Sequence, residues 1–219
     1  MSKDNPYVGP RTFQKEEGDL FFGRDREARD LSALTATEKL VLFYAQSGAG
    51  KSSILNTRLI PELEDEFYEV LPKGRVSGEL HEGMKVNNIY IYNLIRSLIG
   101  HKIDDPNSIA SLTLSEFLGR LNEDEQGYFY DASLKAPLRG NSEVKPWKRA
   151  LIIDQFEEIF TTSIDAWETR ADFFRQLGKA MEDDPYLWVV LTMRDDYIAA
   201  LDPYAYHMPG GLRVRYYMQ

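Results

Sequence analysis

Hydrophobic positions along this chain follow two rhythms. Residues 39–45, 151–153 and 187–193 are apolar runs that do not alternate, which predicts strands covered on both faces. Residues 67–71 read as a further strand. Between them the apolar positions recur every three or four residues. Ala28, Leu31 and Leu34 predict a helix over 25–34, and Ile91, Leu94, Ile95 and Leu98 one over 88–98. Phe173, Phe174 and Leu177 form the inward stripe of a helix over 167–181. Thr113 followed by Glu116 is a capping box that opens a helix carrying Phe117, Leu118 and Leu121. A helix over 51–59 follows the first strand, and Pro61 ends it or bends the chain just beyond. Parallel strands alternating with helices give an α/β fold, a three-layer sandwich around a mostly parallel sheet.

Polar and glycine-rich stretches set the boundaries. Pro6, Gly9, Pro10 and Gly18 make residues 1–20 an extended N-terminal arm. Residues 21–204 form the main domain. Within it, 122–148 is polar and broken by Gly127, Pro137, Gly140 and Pro146, the pattern of an insertion loop with little regular structure. Residues 205–219 read as the start of a following segment that is cut short at Gln219.

Composition narrows the function classes. The 219 residues carry a formal net charge of -9, which argues against a surface that coats nucleic acid. There is no Cys, so thiolate metal sites and disulfides are excluded. His81, His101 and His207 are far apart and show no ligand spacing. The polar N-terminus is not a secretory signal, and no apolar run approaches a membrane span, so the expectation is a cytoplasmic protein without a membrane partner.

The first strand runs into AQSGAGKS, residues 45–52, and then into a helix. Strand, glycine loop and helix are the setting of a phosphate-binding loop. Gly48 and Gly50 let the backbone approach an anion, and Gln46, Ser47, Gly48, Ala49, Gly50, Lys51, Ser52 and Ser53 form the candidate nucleotide-binding set. Lys51 would reach the β- and γ-phosphates, and the Ser52 hydroxyl would ligate Mg²⁺. Ala45 stands where the first glycine of the pattern is usual, and it is small enough to serve.

The second buried strand ends in LIIDQFEE, residues 151–158. Asp154 is placed to hold Mg²⁺ through water, as a Walker B aspartate does. Glu157 or Glu158 could align or deprotonate an attacking water, and the sequence does not separate the two. Both acids would also suit the first turn of a helix over 157–162. The third buried strand ends in Thr192-Met193-Arg194-Asp195-Asp196. Arg194 at that strand end is placed either to touch the γ-phosphate or to pair with Asp195, Asp196 or Glu157. Asp195 and Asp196 suit the cap of the next helix.

Together these pieces resemble the STAND class of P-loop NTPases, in particular the bacterial novel STAND group. The matching strings are NPYVGPRTF, DLFFGRDREARDL, AQSGAGKSSILN with Ile60-Pro61 downstream, LIIDQFEEIF and VVLTMRDDY, in the family's order from residue 5 to residue 197. The match over 102–148 is weak. The resemblance implies that Gly23 and Arg24 lie near the base and ribose, and that Arg194 is a sensor arginine. It implies an ATP/ADP switch with Mg²⁺ that hydrolyses ATP slowly and forms homo-oligomers on activation. It further implies a place in signalling or antiphage defence, with sensor and effector domains that this chain lacks. Two rivals are a nucleotide-binding oligomerisation module without hydrolysis and a DNA-handling AAA+-like ATPase. A GTPase is disfavoured because no Asn-Lys-x-Asp string follows the core strands.

Overall fold

The computed structural model describes residues 11–80, 82–100, 105–134 and 148–219. A 3-10 turn at Lys15–Leu20 precedes helix α1 (Asp25–Thr37) and strand β1 (Leu40–Ala45). Helix α2 (Lys51–Ile54), a π-helical turn at Leu55–Leu59 and α3 (Ile60–Asp65) then lead to β2 (Tyr68–Val70). Next come α4 (Ile89–Ile99), α5 (Leu114–Leu118) and the hairpin of β3 (Leu121–Asp124) and β4 (Gly127–Tyr130). Strand β5 (Lys148–Ile153), α6 (Glu158–Thr161), α7 (Glu168–Asp183) and β6 (Leu187–Arg194) follow. Two 3-10 runs, Asp195–His207 and Pro209–Leu212, lead to β7 (Arg215–Tyr217).

The main sheet has the order β2-β5-β6-β1-β7, and its pairings are all parallel. Its central strands are buried on both faces, as their unbroken apolar runs predict. Successive side chains point to opposite layers. Leu42, Leu151, Ile153, Val189 and Leu191 face a core built with α4, α5 and α7. Val41, Phe43, Ile152 and Val190 face a second core built with α1 and the helical run 51–65. Burying each such side chain contributes about 1.5–3 kcal/mol. The result is the three-layer α/β sandwich.

Several local expectations change. Pro61 does not end its helix. The chain makes a π turn over Leu55–Leu59 and continues as α3, with Pro61 in its first turn. Pro61 has no N–H for the Thr57 carbonyl, and Arg58 Nη1 approaches that oxygen at 3.4 Å instead. Residues 15–20 of the expected arm are a 3-10 turn whose capping box joins Gln14 and Glu17. Part of the expected insertion loop is ordered as the β3–β4 hairpin. Leu121 is buried, and Tyr130 stacks on Phe117 with ring centres 6.1 Å apart. Glu123, Asp124, Glu125 and Gln126, polar residues of that stretch, are exposed at the turn end of the hairpin. Residues 215–217, read as the start of a following segment, complete the sheet by pairing with β1. Residues 1–10, 81, 101–104 and 135–147 lie outside the described residues, and with them Pro6, Gly9, Pro10, His81, His101, Pro137, Gly140 and Pro146. Among the described residues, no helix is long and apolar enough to cross a membrane.

Candidate functional site

The carboxyl ends of β1, β5 and β6 open onto one cleft of about 490 Å³. Ser47, Gly48, Gly50, Lys51, Ser52 and Ser53 line it from the glycine loop, and Asp154, Gln155, Glu157 and Arg194 from the neighbouring strand ends. Gly48 and Gly50 have φ of 76° and 96°, conformations that a Cβ would strain. They turn the chain sharply enough for α2 to begin at Lys51 with its amino end on the cleft. Gln46 and Ala49 do not line the cleft. The Gln46 carbonyl accepts from Lys51, and Ala49 packs on the second core.

Lys51 is buried. Its Nζ donates to the Ala45 carbonyl at 2.9 Å and the Gln46 carbonyl at 3.0 Å. Burial lowers its pKa, against the opposing pull of Glu157, Asp154 and Asp195. Among the described residues no carboxylate lies within ion-pair distance of this ammonium. A buried cation served only by neutral carbonyls is a strong anion attractor.

Asp154 is 5% exposed and is fixed from three sides. Its Oδ2 accepts from Ser52 Oγ at 2.8 Å. Its Oδ1 accepts from Thr192 Oγ1 at 2.6 Å and from the Gln155 N–H at 3.0 Å. The next turn is anchored as well, because the Phe156 N–H donates to the Thr192 carbonyl at 2.7 Å. Thr192 thus orients the aspartate from the adjacent strand, a role the sequence did not suggest. The Ser52 hydroxyl and Asp154 carboxylate are hard oxygen donors side by side. They fit Mg²⁺, which commonly takes one or two protein oxygens and completes its shell with phosphates and water. No group of three or more His, Cys, Asp and Glu fit for a metal occurs among the described residues, and a Mg²⁺ shared with phosphates needs none.

The structure separates the two glutamates. Glu157 lines the cleft, and its Oε2 accepts from the Arg194 N–H at 3.3 Å. Burial raises its pKa, opposed by that hydrogen bond and by Lys51. Glu158 points the other way. Its Oε1 pairs with Arg75 Nη2 at 2.5 Å, its Oε2 with Arg75 Nε at 3.2 Å, and Ser77 Oγ also donates to it. The Arg194 guanidinium reaches Asp196 through Nε at 3.1 Å and Nη2 at 2.5 Å. It therefore makes one of the foreseen ion pairs while still lining the cleft. Asp196 is that partner rather than a helix cap, and the 3-10 run after Arg194 has no side-chain cap.

Arg11, Thr12, Phe13 and Phe21 form the wall opposite the strand ends. The Phe13 N–H donates to Ser53 Oγ at 3.2 Å, and Asn56 Nδ2 donates to the Phe13 carbonyl at 2.8 Å. Arg58 donates to the Gly18 and Phe21 carbonyls at 3.1 and 2.8 Å. The N-terminal segment is thereby tied to the helix that follows the glycine loop. Phe13 and Phe21 pack with ring centres 5.4 Å apart. Gly23 and Arg24, expected near the base, are not among the lining residues. Arg24 Nη1 instead contacts Glu27 at 2.5 Å and the Gln219 carbonyl at 2.7 Å. A partly apolar wall formed by a segment distant from the loop leaves no local sequence signature, although the string PRTF carried three of its four residues.

No curated protein matches the chain. A solved structure, the Walker-type ATPase of Pyrococcus abyssi, is similar over 90% of this chain and 51% of its own length, at 17% identity and a TM-score of 0.49. This chain therefore spans about half of that protein. The family model described as Novel STAND NTPase 1 matches residues 6–209. The chain belongs to the Novel STAND NTPase 1 family of P-loop NTPases.

Proposed function

We propose that the cleft binds a nucleoside triphosphate with Mg²⁺, ATP in the first instance, and hydrolyses it slowly with Glu157 as the group that receives the proton of the attacking water. The observation that carries this reading is the convergence of Lys51, Ser52, Asp154 and Glu157 on one cleft while Glu158 is bound to Arg75 and Ser77 outside it. Lys51 and the loop N–H groups would hold the phosphates. Ser52 and Asp154 would hold Mg²⁺, which supplies charge neutralisation on the phosphate oxygens. Glu157 suits a base because its raised pKa makes it a better proton acceptor than an ordinary carboxylate. Phe13 and Phe21 offer an apolar surface for the base at the other wall. Arg194 could release Asp196 to meet the terminal phosphate.

In a larger protein this domain would be the nucleotide switch, assembling into oligomers and serving signalling or antiphage defence. Family resemblance supports that wider role.

Phosphate release at saturating ATP tests the chemistry. Glu157→Gln should lower turnover by about 100-fold or more while nucleotide still binds. Glu158→Gln should cost less than about 10-fold, through loss of its pair with Arg75. Wild-type release no faster than that of Glu157→Gln would make this a binding module without hydrolysis. Equal losses in both variants would remove the assignment to Glu157.

A further inference from the structure

Gln155 has a backbone conformation that its side chain does not favour. Its φ is 55°, in the left-handed region, where residues other than Gly, Asn and Asp are uncommon. Its N–H is held by Asp154 Oδ1 at 3.0 Å and Thr192 Oγ1 at 3.3 Å. Strain of this kind persists only where the surroundings enforce it, and it concentrates at functional sites. Gln155 lines the cleft together with Asp154 and Glu157.

The carboxamide is also oriented. Arg75 Nη2 donates to Gln155 Oε1. A guanidinium can only donate, so it selects the amide oxygen and turns the NH₂ group away. Arg75 is itself held by Glu158 on both Nε and Nη2, and its backbone N–H donates to Ser97 Oγ at 2.8 Å. Among the described residues nothing accepts from Gln155 Nε2. The group on this side chain without a partner among the described residues is therefore a donor, in a cleft whose cation has no carboxylate of those residues within ion-pair distance.

We propose that Gln155, clamped by Arg75, is a specificity-determining donor to the terminal phosphate and discriminates triphosphate from diphosphate. This rests on the reading of the cleft as a nucleotide site. Asp154 and Glu157, its neighbours on the wall, are the residues assigned to the Mg²⁺ and to the attacking water. On that reading the donor would lie at the γ-phosphate end. A diphosphate would leave it without a partner. Arg75 and Glu158 act through Gln155 as positioning residues. The ion pair they form belongs to this clamp and not to the proton transfer.

Calorimetric titration with Mg²⁺-ADP and with a non-hydrolysable Mg²⁺-ATP analogue tests this in wild type, Gln155→Ala, Gln155→Glu, Arg75→Ala, Arg75→Lys and the Arg75→Ala, Gln155→Ala double variant. Gln155→Ala should bind the triphosphate analogue about 10-fold more weakly, the worth of one hydrogen bond to a charged group, with ADP affinity unchanged. Gln155→Glu keeps an acceptor for Arg75 but has no donor, and should lose more. Arg75→Ala should move in the same direction, Arg75→Lys should recover part of the loss, and the double variant should be no weaker than Gln155→Ala alone. Unchanged ADP affinity doubles as the check that each variant is folded. Equal losses for both nucleotides, no loss in Gln155→Ala, or additive losses in the double variant would overturn the proposal while leaving the nucleotide site standing. Wild type that binds neither nucleotide would overturn the site and the proposal together.

Discussion

The two ends of the sheet each bury a cation, and they treat it differently. At the amino end of β5, the Arg149 side chain is 2% exposed and makes a two-point contact with Glu69 at 3.2 and 3.1 Å. A third donor reaches the Leu118 carbonyl at 2.9 Å. The charge meets a carboxylate and each guanidinium nitrogen has a partner within the chain. At the carboxyl end, the buried Lys51 ammonium donates, among the described residues, only to the Ala45 and Gln46 carbonyls. The nearby carboxylates are held elsewhere, Asp154 by Ser52 and Thr192 and Glu157 by the Arg194 N–H. A buried charge is costly unless paired. The amino end removes that cost with a carboxylate from β2, whereas the carboxyl end leaves it for a ligand anion to remove. The same physics makes one end a clasp and, on the proposed reading, the other a binding site.

The sharpest test of this contrast is Arg149→Ala. It removes a buried guanidinium with its contacts to Glu69 and the Leu118 carbonyl, and should lower the unfolding free energy by about 3–5 kcal/mol in urea melts. Nucleotide affinity of the folded fraction should stand, because Arg149 lies at the far end of the strands. Lys51→Ala should invert the pattern. Triphosphate affinity should fall by about 100-fold or more in a direct titration, since charge-assisted contacts to the phosphates are lost. Stability of the nucleotide-free protein should change by less than about 1 kcal/mol or rise, because a poorly compensated buried charge is gone. A loss of stability in Lys51→Ala as large as in Arg149→Ala would break the comparison.

The smallest effect concerns Glu157. Burial raises its folded pKa, so the folded state binds the proton more tightly than the unfolded chain does. Stability from this group is therefore lost as pH rises from the usual carboxylate range through the raised value. Glu157→Gln should match wild type in melting temperature at acidic pH and exceed it by on the order of a few degrees at alkaline pH, without nucleotide. A gap that is constant with pH would show that this carboxylate is not held under strain in the folded state.

Most of the framework was legible in the sequence. Three unbroken apolar runs announced strands buried on both faces, because a parallel sheet covered by helices has no polar side. AQSGAGKS was legible because a tight turn between strand and helix needs glycines, and a phosphate-binding one adds a cation at fixed spacing. The β3–β4 hairpin was missed because its inward residues are few and its turn polar. β7 was missed because Arg215-Tyr216-Tyr217 is short and exposed, and becomes a strand only by pairing with β1. Pro61 does not end the helix because a helix can widen into a π turn and continue past a missing N–H.

At the cleft the division is similar. Local spacing was enough to nominate Lys51, Ser52, Asp154 and the Glu157–Glu158 pair, since each follows within a few residues of the end of a recognisable strand. It could not choose between the glutamates. That choice depends on Arg75, 83 residues away along the chain from Glu158, which binds one carboxylate and leaves its neighbour facing the cleft. Nor could it find the wall of Arg11, Thr12, Phe13 and Phe21, or the Thr192 hydroxyl beneath Asp154. The sequence by itself determined which elements form and which residues could carry phosphate chemistry, because both follow from short-range periodicity and turn geometry. Only the tertiary structure decided which charges meet, because pairing a buried charge depends on what other elements bring within hydrogen-bond reach, and no local pattern encodes that distance.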